Sequence, residues 1–469
     1  MLSEALFKNL GVKGLCDDSR KATAGDLFFA LPGEGSFDFA RSALSKGAIA
    51  IVGECEAPLD LASKWIQVKN VKDARLEAAK IFFKDPFSKL IVHAVTGTNG
   101  KTTSAFLMES VLRGEGRKAA LVGTICKKIG DKVISSNLTT PGLLELHAFA
   151  AEAALAGCTD FVMEASSHSL DQGRVAGIAY KSALFSNLTE DHLDYHKTME
   201  AYFEAKKLLF TKYLAQDGVA VINIDDAYGK RLFNEISVAD KVSVSRLGAD
   251  FADVKPASVK SSEDGLVLDV PSISSRPIET PLVGDFNADN VLLVAAWAHA
   301  MHFSEEALRT ALSTIMVPGR FEMVFNDGNR RVIVDYAHTP DALERVLRTA
   351  RSLCKGKLSV VFGCGGDRDR NKRHIMGAIA EREADFAWVT SDNPRTEKPE
   401  DIIAEIVSGM TSKNFEVIVS REEAIAKACH AMQRGDFLVV AGKGHENYQI
   451  VGKVKHHFDD HEIVLREMK

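Results

Sequence analysis

Apolar positions along the chain follow two rhythms, and their alternation lays out an α/β protein. Near the start, Gly25-Asp26-Leu27-Phe28-Phe29-Ala30-Leu31 and Ala48-Ile49-Ala50-Ile51-Val52 form short continuous apolar runs, which predict buried strands with a helix over 39–46 between them. The pattern changes near residue 88. Leu90-Ile91-Val92-His93-Ala94-Val95 is again a strand-like run, but a Gly loop follows, and then a stretch with Ala105, Leu107, Met108, Val111 and Leu112 on one helical face. From Val317-Pro318-Gly319-Arg320 onward one grammar repeats, an apolar strand, a polar or Gly-rich loop and a helix. The strands are expected over 332–334, 358–362, 386–389, 417–419 and 437–440. Loops of this kind gather at the carboxyl ends of an open parallel sheet, where ligands bind. The pattern therefore predicts domains over 1–88, 89–317 and 318–469. One helix start is legible in detail: Thr339 suits the cap and Pro340 the first turn, leaving His338 just outside, facing the loop.

Composition narrows the classes. No run of about eighteen apolar residues occurs, so no membrane span is expected, and the opening residues Met1 to Lys8 lack the basic and then apolar regions of a signal peptide. The seven cysteines are an odd count without Cys-x-x-Cys spacing, which argues against a disulfide framework or a zinc site and for a reducing, cytoplasmic setting. A formal net charge of -6 speaks against a general nucleic-acid binder.

The sharpest chemistry is Thr96-Gly97-Thr98-Asn99-Gly100-Lys101-Thr102-Thr103, set between a predicted strand and a predicted helix. Glycines there let backbone N–H groups approach phosphate oxygens, Lys101 neutralises them, and the Thr102 hydroxyl reaches Mg2+. The spacing Gly-x-x-Gly-Lys-Thr is two residues shorter than the common Walker form, which disfavours a motor or switch NTPase. Glu164 ends the apolar run Phe161-Val162-Met163 and offers a hard oxygen ligand. Taken singly, His168 and His192 read as structural histidines, and Lys206, beside Lys207 on a helix, reads as a solvated surface charge.

Read together and in order, the motifs resemble the Mur ligase family over nearly the whole chain. The residues that carry the resemblance are Asp18-Ser19-Arg20 with Gly25-Asp26-Leu27-Phe28, the phosphate loop, Leu138-Thr139-Thr140-Pro141, Glu164-Ala165-Ser166-Ser167-His168 and residues 187–196. They continue through residues 205–210, 284–290, Pro318-Gly319-Arg320-Phe321-Glu322, Asp335 to Asp341, Asp392-Asn393-Pro394-Arg395 and Gly442-Lys443-Gly444-His445-Glu446. The resemblance implies an α/β protein of three domains: a small N-terminal UDP-binding domain, a central P-loop ATPase domain with a mostly parallel sheet, and a C-terminal Rossmann-like domain.

It also implies an ADP-forming ligase that activates a carboxylate as an acyl phosphate and joins it to an amine. ATP falls on Gly97, Thr98, Asn99, Gly100, Lys101, Thr102, Thr103, Asn287, Arg320 and Asp335. Mg2+ falls on Thr102, Glu164, His192 and Lys206, the last carbamylated, which turns the surface reading of that lysine around. Lys101, Glu164, His192 and Lys206 form the implied catalytic set. A UDP-N-acetylmuramoyl dipeptide would meet Asp17, Ser19, Glu34, Gly35, Ser36, Thr139, Thr140, Ser166, Gln172 and Arg174. The incoming amino acid would meet Arg368, Asp392, Asn393, Pro394, Arg395, Gly442 and Glu446. Arg395 favours meso-diaminopimelate, whose second carboxylate a planar guanidinium binds bidentately, over lysine, which lacks it.

The partners expected are small molecules, with no nucleic acid and no membrane, and the chain is expected to be a monomer. Two rivals stand beside this reading. A folylpolyglutamate synthase-like ligase would lack a separate domain over 1–88, and a non-catalytic nucleotide-binding module would not need Lys101, Glu164, His192 and Lys206 together. Gly363-Cys364-Gly365-Gly366 could suggest dinucleotide binding, but Arg368 stands where the third glycine is required, and Cys364 has no partner base that would make it a nucleophile.

Overall fold

Strands buried on both faces explain the continuous apolar runs. The computed structural model describes residues 2–136 and 138–469; Met1, part of the opening stretch read above, lies outside them. The chain divides into two compact units, the first formed by Met1–Ala94, Arg117–Lys181 and Lys212–Ala215, the second by Val95–Gly116, Ser182–Thr211 and Gln216–Lys469.

In the first unit, Gly14–Cys16, Asp26–Phe29, Ala50–Gly53 and Trp65–Gln67 make a parallel four-stranded sheet in chain order. Alternate residues go to opposite sides. Leu27, Phe29, Ala50 and Val52 pack with Ala74 and Ala78 of the helix Val71–Phe83, while Phe28 and Ile51 pack with Ala40 and Ala43 of the helix Ser36–Ser45. The first helix expected, over 39–46, is there as Ser36–Ser45, whereas Val71–Phe83 was not foreseen, and the strands are shorter than the apolar runs suggested. Further along, Ala119–Val122 runs parallel to Asp160–Glu164 and pairs on its other side with a hairpin, Cys126–Ile129 and Lys132–Ser135.

The second unit carries the helix Lys101–Gly114, read above as amphipathic. Residues 102–112 are buried all round, Glu109 and Ser110 included, because the helices Asp285–Ala300 and Glu305–Ser313 pack against it. A small antiparallel sheet is built from Ser258–Ser262, Gly265–Asp269 and Ile278–Thr280.

The last sheet has six strands. Five are parallel, Arg331–Asp335, Phe437–Ala441, Leu358–Phe362, Phe386–Val389 and Phe415–Val417 in spatial order, as the repeating grammar predicts. Two corrections apply. An antiparallel edge strand, Glu322–Asn326, was not foreseen; its apolar stretch is only Met323-Val324-Phe325, and its side chains are half-buried or exposed. The strand expected over 417–419 lies two residues earlier, although Ile418 N–H still donates to the Val389 carbonyl (3.0 Å) beyond its formal end. Ile333, Val360 and Val439 face one side of this sheet, and Val332, Val334, Val361, Leu438 and Val440 face the other, so it is covered on both faces. The helix start at Thr339 is as read: the Thr339 hydroxyl accepts from Ala342 N–H (3.3 Å) and Pro340 opens the first turn.

Candidate functional site

The phosphate loop leaves the strand Ile91–Thr96 and enters the helix Lys101–Gly114, with Gly97 at φ 150° and Gly100 at φ 86°. Neither position tolerates a side chain. A Cβ on Gly97 would lie 2.0 Å from Ser186 Oγ, and one on Gly100 2.2 Å from Asn290 Oδ1. The loop is braced from behind. Asn99 N–H donates to Asn187 Oδ1 (2.9 Å), Thr98 N–H to the Asn187 carbonyl (2.9 Å), and Ser186 Oγ to the Asn99 carbonyl (2.6 Å). Asn99 Nδ2 donates to Asp341 Oδ2 (2.8 Å), at the start of the helix Pro340–Leu353.

Two lysines converge on one carbonyl of this loop. Lys101 Nζ donates to the Gly97 and Thr98 carbonyls (2.9 and 2.8 Å), and Lys206 Nζ donates to the Gly97 carbonyl (2.8 Å). Lys206 is 1% exposed and its ammonium lies 4.6 Å from the centre of the Tyr202 ring, so the solvated-surface reading of it fails. Burial, reinforced by the nearby charge of Lys101, pulls its pKa well below the ordinary lysine value, against the pull of Asp191. A buried lysine with a depressed pKa holds more of the free amine that reacts with carbon dioxide. Lys207, by contrast, pairs at the surface with Glu204 and Glu235. Tyr202 also hydrogen-bonds Thr98 Oγ1 (3.2 Å); it was not singled out from the sequence, yet it lies four residues before Lys206 and so on the same helical face.

Around the loop, Arg320 Nη2 donates to Thr102 Oγ1 (3.0 Å), with its guanidinium 4.5 Å from the centre of the Tyr336 ring. Asp335 is buried, which pushes its pKa up; it accepts from Phe321 N–H (2.6 Å) and Ala337 N–H (2.7 Å). Asn287, near the start of the helix Asp285–Ala300, is buried and donates to the Val283 carbonyl (2.9 Å). His192 sits at φ 55°, partly exposed, with Asp191 Oδ2 3.5 Å from its Nε2.

The loops after the strands of the last sheet also come together. Asn393 Nδ2 donates to Glu446 Oε2 (2.9 Å), and the fully buried Lys443, which sequence reasoning passed over, lies 3.3 Å from the same oxygen. A Cβ on Gly442 would meet Asp392 Oδ2 at 2.7 Å. Arg395, at φ 52°, donates through Nη1 to the Gly366 carbonyl (2.8 Å). Arg368 is exposed nearby, its Cγ 3.8 Å from where a Gly365 Cβ would stand. Gly366 packs on the Pro394 carbonyl, 1.9 Å from the position a Cβ would take, so the Gly363 to Gly366 turn serves loop packing. Cys364 is buried, its thiol pushed up to about 12 by desolvation, as expected for a residue that is no nucleophile.

In the first unit, Glu164 is fully buried at the end of its strand, where Thr124 donates to it through N–H (2.8 Å) and Oγ1 (3.0 Å). This anchored carboxylate is a hard oxygen donor of the kind Mg2+ takes. Thr124 Oγ1 also bonds Thr139 Oγ1 (3.0 Å), and Thr140 Oγ1 donates to the Glu164 carbonyl (2.8 Å). Arg174 donates to the Thr140 carbonyl (3.0 Å) and to Gln172 Oε1, while Ser166 caps the helix Ser167–Asp171. Positions that the resemblance assigns to the UDP-dipeptide therefore form one hydrogen-bonded group. Asp17 is paired with Arg75 (2.7 Å), and Ser19 is buried with its carbonyl accepting from Lys46 Nζ. Gly35 and Ser36 line a cavity of about 340 Å³ with Phe37, Arg41 and Trp65, and Glu34 is exposed beside it. Among the described residues, no group of three or more His, Cys, Asp or Glu side chains is gathered as a metal centre.

Two family descriptions match the chain, the Mur ligase middle domain over residues 95–298 and the Mur ligase glutamate ligase domain over 319–444. A UDP-N-acetylmuramoyl-L-alanyl-D-glutamate--2,6-diaminopimelate ligase from Geobacter metallireducens is 42% identical, the alignment covering 97% of this chain and 94% of that protein. The chain belongs to the Mur ligase family. A solved structure of a UDP-N-acetylmuramoyl-L-alanyl-D-glutamate--2,6-diaminopimelate ligase is similar at 36% identity and a TM-score of 0.66, covering 97% of this chain and 94% of that one. Folylpolyglutamate synthase from Mycobacterium tuberculosis shares the fold at 20% identity and a TM-score of 0.65, over 79% of this chain. No helix among the described residues is long and apolar enough to cross a membrane.

Proposed function

We propose that this Mur ligase adds meso-diaminopimelate to the D-glutamate γ-carboxylate of UDP-N-acetylmuramoyl-L-alanyl-D-glutamate, at the expense of ATP, in peptidoglycan precursor synthesis. Near-full-length identity of 42% to ligases of that name is the observation that carries it. Residues 1–88 take the UDP end of the substrate, 89–317 take ATP, and 318–469 take the amino acid. The partners are small molecules, and the chain works as a cytoplasmic monomer.

The γ-carboxylate attacks the terminal phosphorus of ATP in line, the bond to the β-phosphate bridging oxygen breaks, and ADP leaves. Backbone amides of the loop 97–103 and the Lys101 ammonium hold the phosphates; Arg320 adds positive charge where negative charge develops on the transferred group. Both cations now rest on neutral oxygens of the protein, Lys101 on loop carbonyls and Arg320 on Thr102 Oγ1, contacts that a phosphate can replace. Thr102, Glu164, His192 and carbamylated Lys206 are the residues that would hold Mg2+, which when bound supplies Lewis-acid charge neutralisation. The amine of diaminopimelate then attacks the acyl phosphate, and the tetrahedral adduct expels phosphate to give the amide. Arg395 pairs with the amino acid's distal carboxylate, with Asp392, Asn393, Gly442 and Glu446 around its other polar groups.

Hydroxylamine offered in place of the amine tests the route. A hydroxamate of the UDP-dipeptide together with ADP is the expected product, and AMP with pyrophosphate would exclude the acyl phosphate.

A further inference from the structure

The segment that presents Arg320 is a strained turn with an outside brace. Gly319 lies at φ 64° and cannot carry a Cβ, which would fall 2.2 Å from His445 N, and its carbonyl accepts from Tyr336 N–H (3.0 Å). Phe321 lies at φ 47°, a left-handed conformation rarely adopted by a bulky residue, and is held there by its N–H bond to Asp335 Oδ2 (2.6 Å). Between these two, Arg320 reaches Thr102 Oγ1 (3.0 Å).

The brace begins at the far end of the chain. Asp459 caps the last helix, Asp460–Glu467, by accepting from His461 N–H (2.8 Å), and its same oxygen lies 3.1 Å from His461 Nδ1. His461 Nε2 lies 2.8 Å from Glu322 Oε2, and that oxygen in turn accepts from Gly319 N–H (2.6 Å). The relay runs Asp459, His461, Glu322, Gly319. Both imidazole nitrogens face carboxylate oxygens, so both must donate, and only the cation does that. Burial pulls the His461 pKa down, but the hydrogen bonds to Asp459 and Glu322 together push it up to about 10.

We propose that His461 is a positioning residue for the nucleotide: as a cation clamped between Asp459 and Glu322, it fixes the Gly319 to Phe321 turn so that Arg320 points at the phosphate loop. This rests on the reading above that Arg320 meets the triphosphate. A plain structural clasp for the last helix would use the same contacts, but it would lower stability without selecting one substrate.

Full-length His461→Ala, His461→Gln, His461→Arg and Glu322→Gln separate the two. Each is assayed for ADP release with the UDP-dipeptide and diaminopimelate, for ADP affinity by titration calorimetry, and for thermal stability. His461→Ala and Glu322→Gln should raise the KM for ATP and the Kd for ADP about tenfold while the KM for diaminopimelate stays within about twofold. His461→Arg, which keeps the charge and two donors, should restore both constants, and the neutral, similarly shaped His461→Gln covers the case in which the alanine variant does not fold. Unchanged ATP and ADP constants in the glutamine variant, or equal losses for both substrates without rescue by arginine, would overturn the proposal. A parent enzyme that releases no ADP would count against the functional reading instead, and the ADP titration still reads the turn.

Discussion

Arg395 is held by backbone carbonyls and takes part in none of the ion pairs among the described residues, so Nε and Nη2 of its guanidinium stay available for a carboxylate. Arg395→Ala should therefore lower kcat/KM for diaminopimelate by about 2–4 kcal/mol in transition-state terms, with the weak use of lysine little changed, as steady-state kinetics with both amines would show. The turn that carries it is legible in the sequence, because Asn-Pro before the arginine at a strand end fixes a turn. Lys206 is the opposite case. As one of two neighbouring lysines it reads like Lys207, yet helical spacing sets it on the buried face with Tyr202 and Leu209, where the Gly97 carbonyl and the Tyr202 ring receive it, while Lys207 turns to a surface ion pair. His461 gives a pH dependence with a definite sign. Its folded pKa of about 10 lies above the unfolded value of about 6.5, so the stability it adds is complete below the unfolded value and is lost as pH rises through the folded one. The gap in urea midpoint between the parent and His461→Gln should accordingly be widest near pH 6 and narrow toward pH 10; a gap that widens with pH would contradict the clamp.

Among elements, those with continuous apolar runs were readable and those defined by neighbours were not. Leu358–Phe362 and Phe386–Val389 fall where expected, since both faces of each strand are buried. The edge strand Glu322–Asn326 and the all-round burial of Lys101–Gly114 depend on what packs against them, which no local period encodes. The clearest element-level device is Arg421, whose guanidinium makes a bidentate pair with Asp460 (2.9 and 2.7 Å) and also reaches the Ala441 carbonyl (2.9 Å), all fully buried. It joins the helices Arg421–Ala431 and Asp460–Glu467 to the strand that ends just before Gly442. Removing one partner strands a buried charge, so Arg421→Ala should cost about 3–5 kcal/mol in equilibrium denaturation. A loss below about 1 kcal/mol, the range of a surface pair, would mean that the site is wet.

For the whole molecule, ordered motifs carried the family, and the fold supplied what each motif rests on: a loop whose glycines admit no Cβ, a buried lysine on its first carbonyl, and an arginine with an open fork. Composition spoke against membrane spans and broad nucleic-acid binding but was silent on substrate, because it carries no information on which residues distant in the chain are brought together. The most direct measurement is a competition. Purified protein is given ATP, the UDP-dipeptide and an equimolar mixture of meso-diaminopimelate and L-lysine, and the products are weighed by mass spectrometry. The account predicts a tripeptide carrying diaminopimelate almost alone, with ADP and phosphate formed in step with it; a lysine product in equal yield, or ATP turned over with no amide formed, would contradict it.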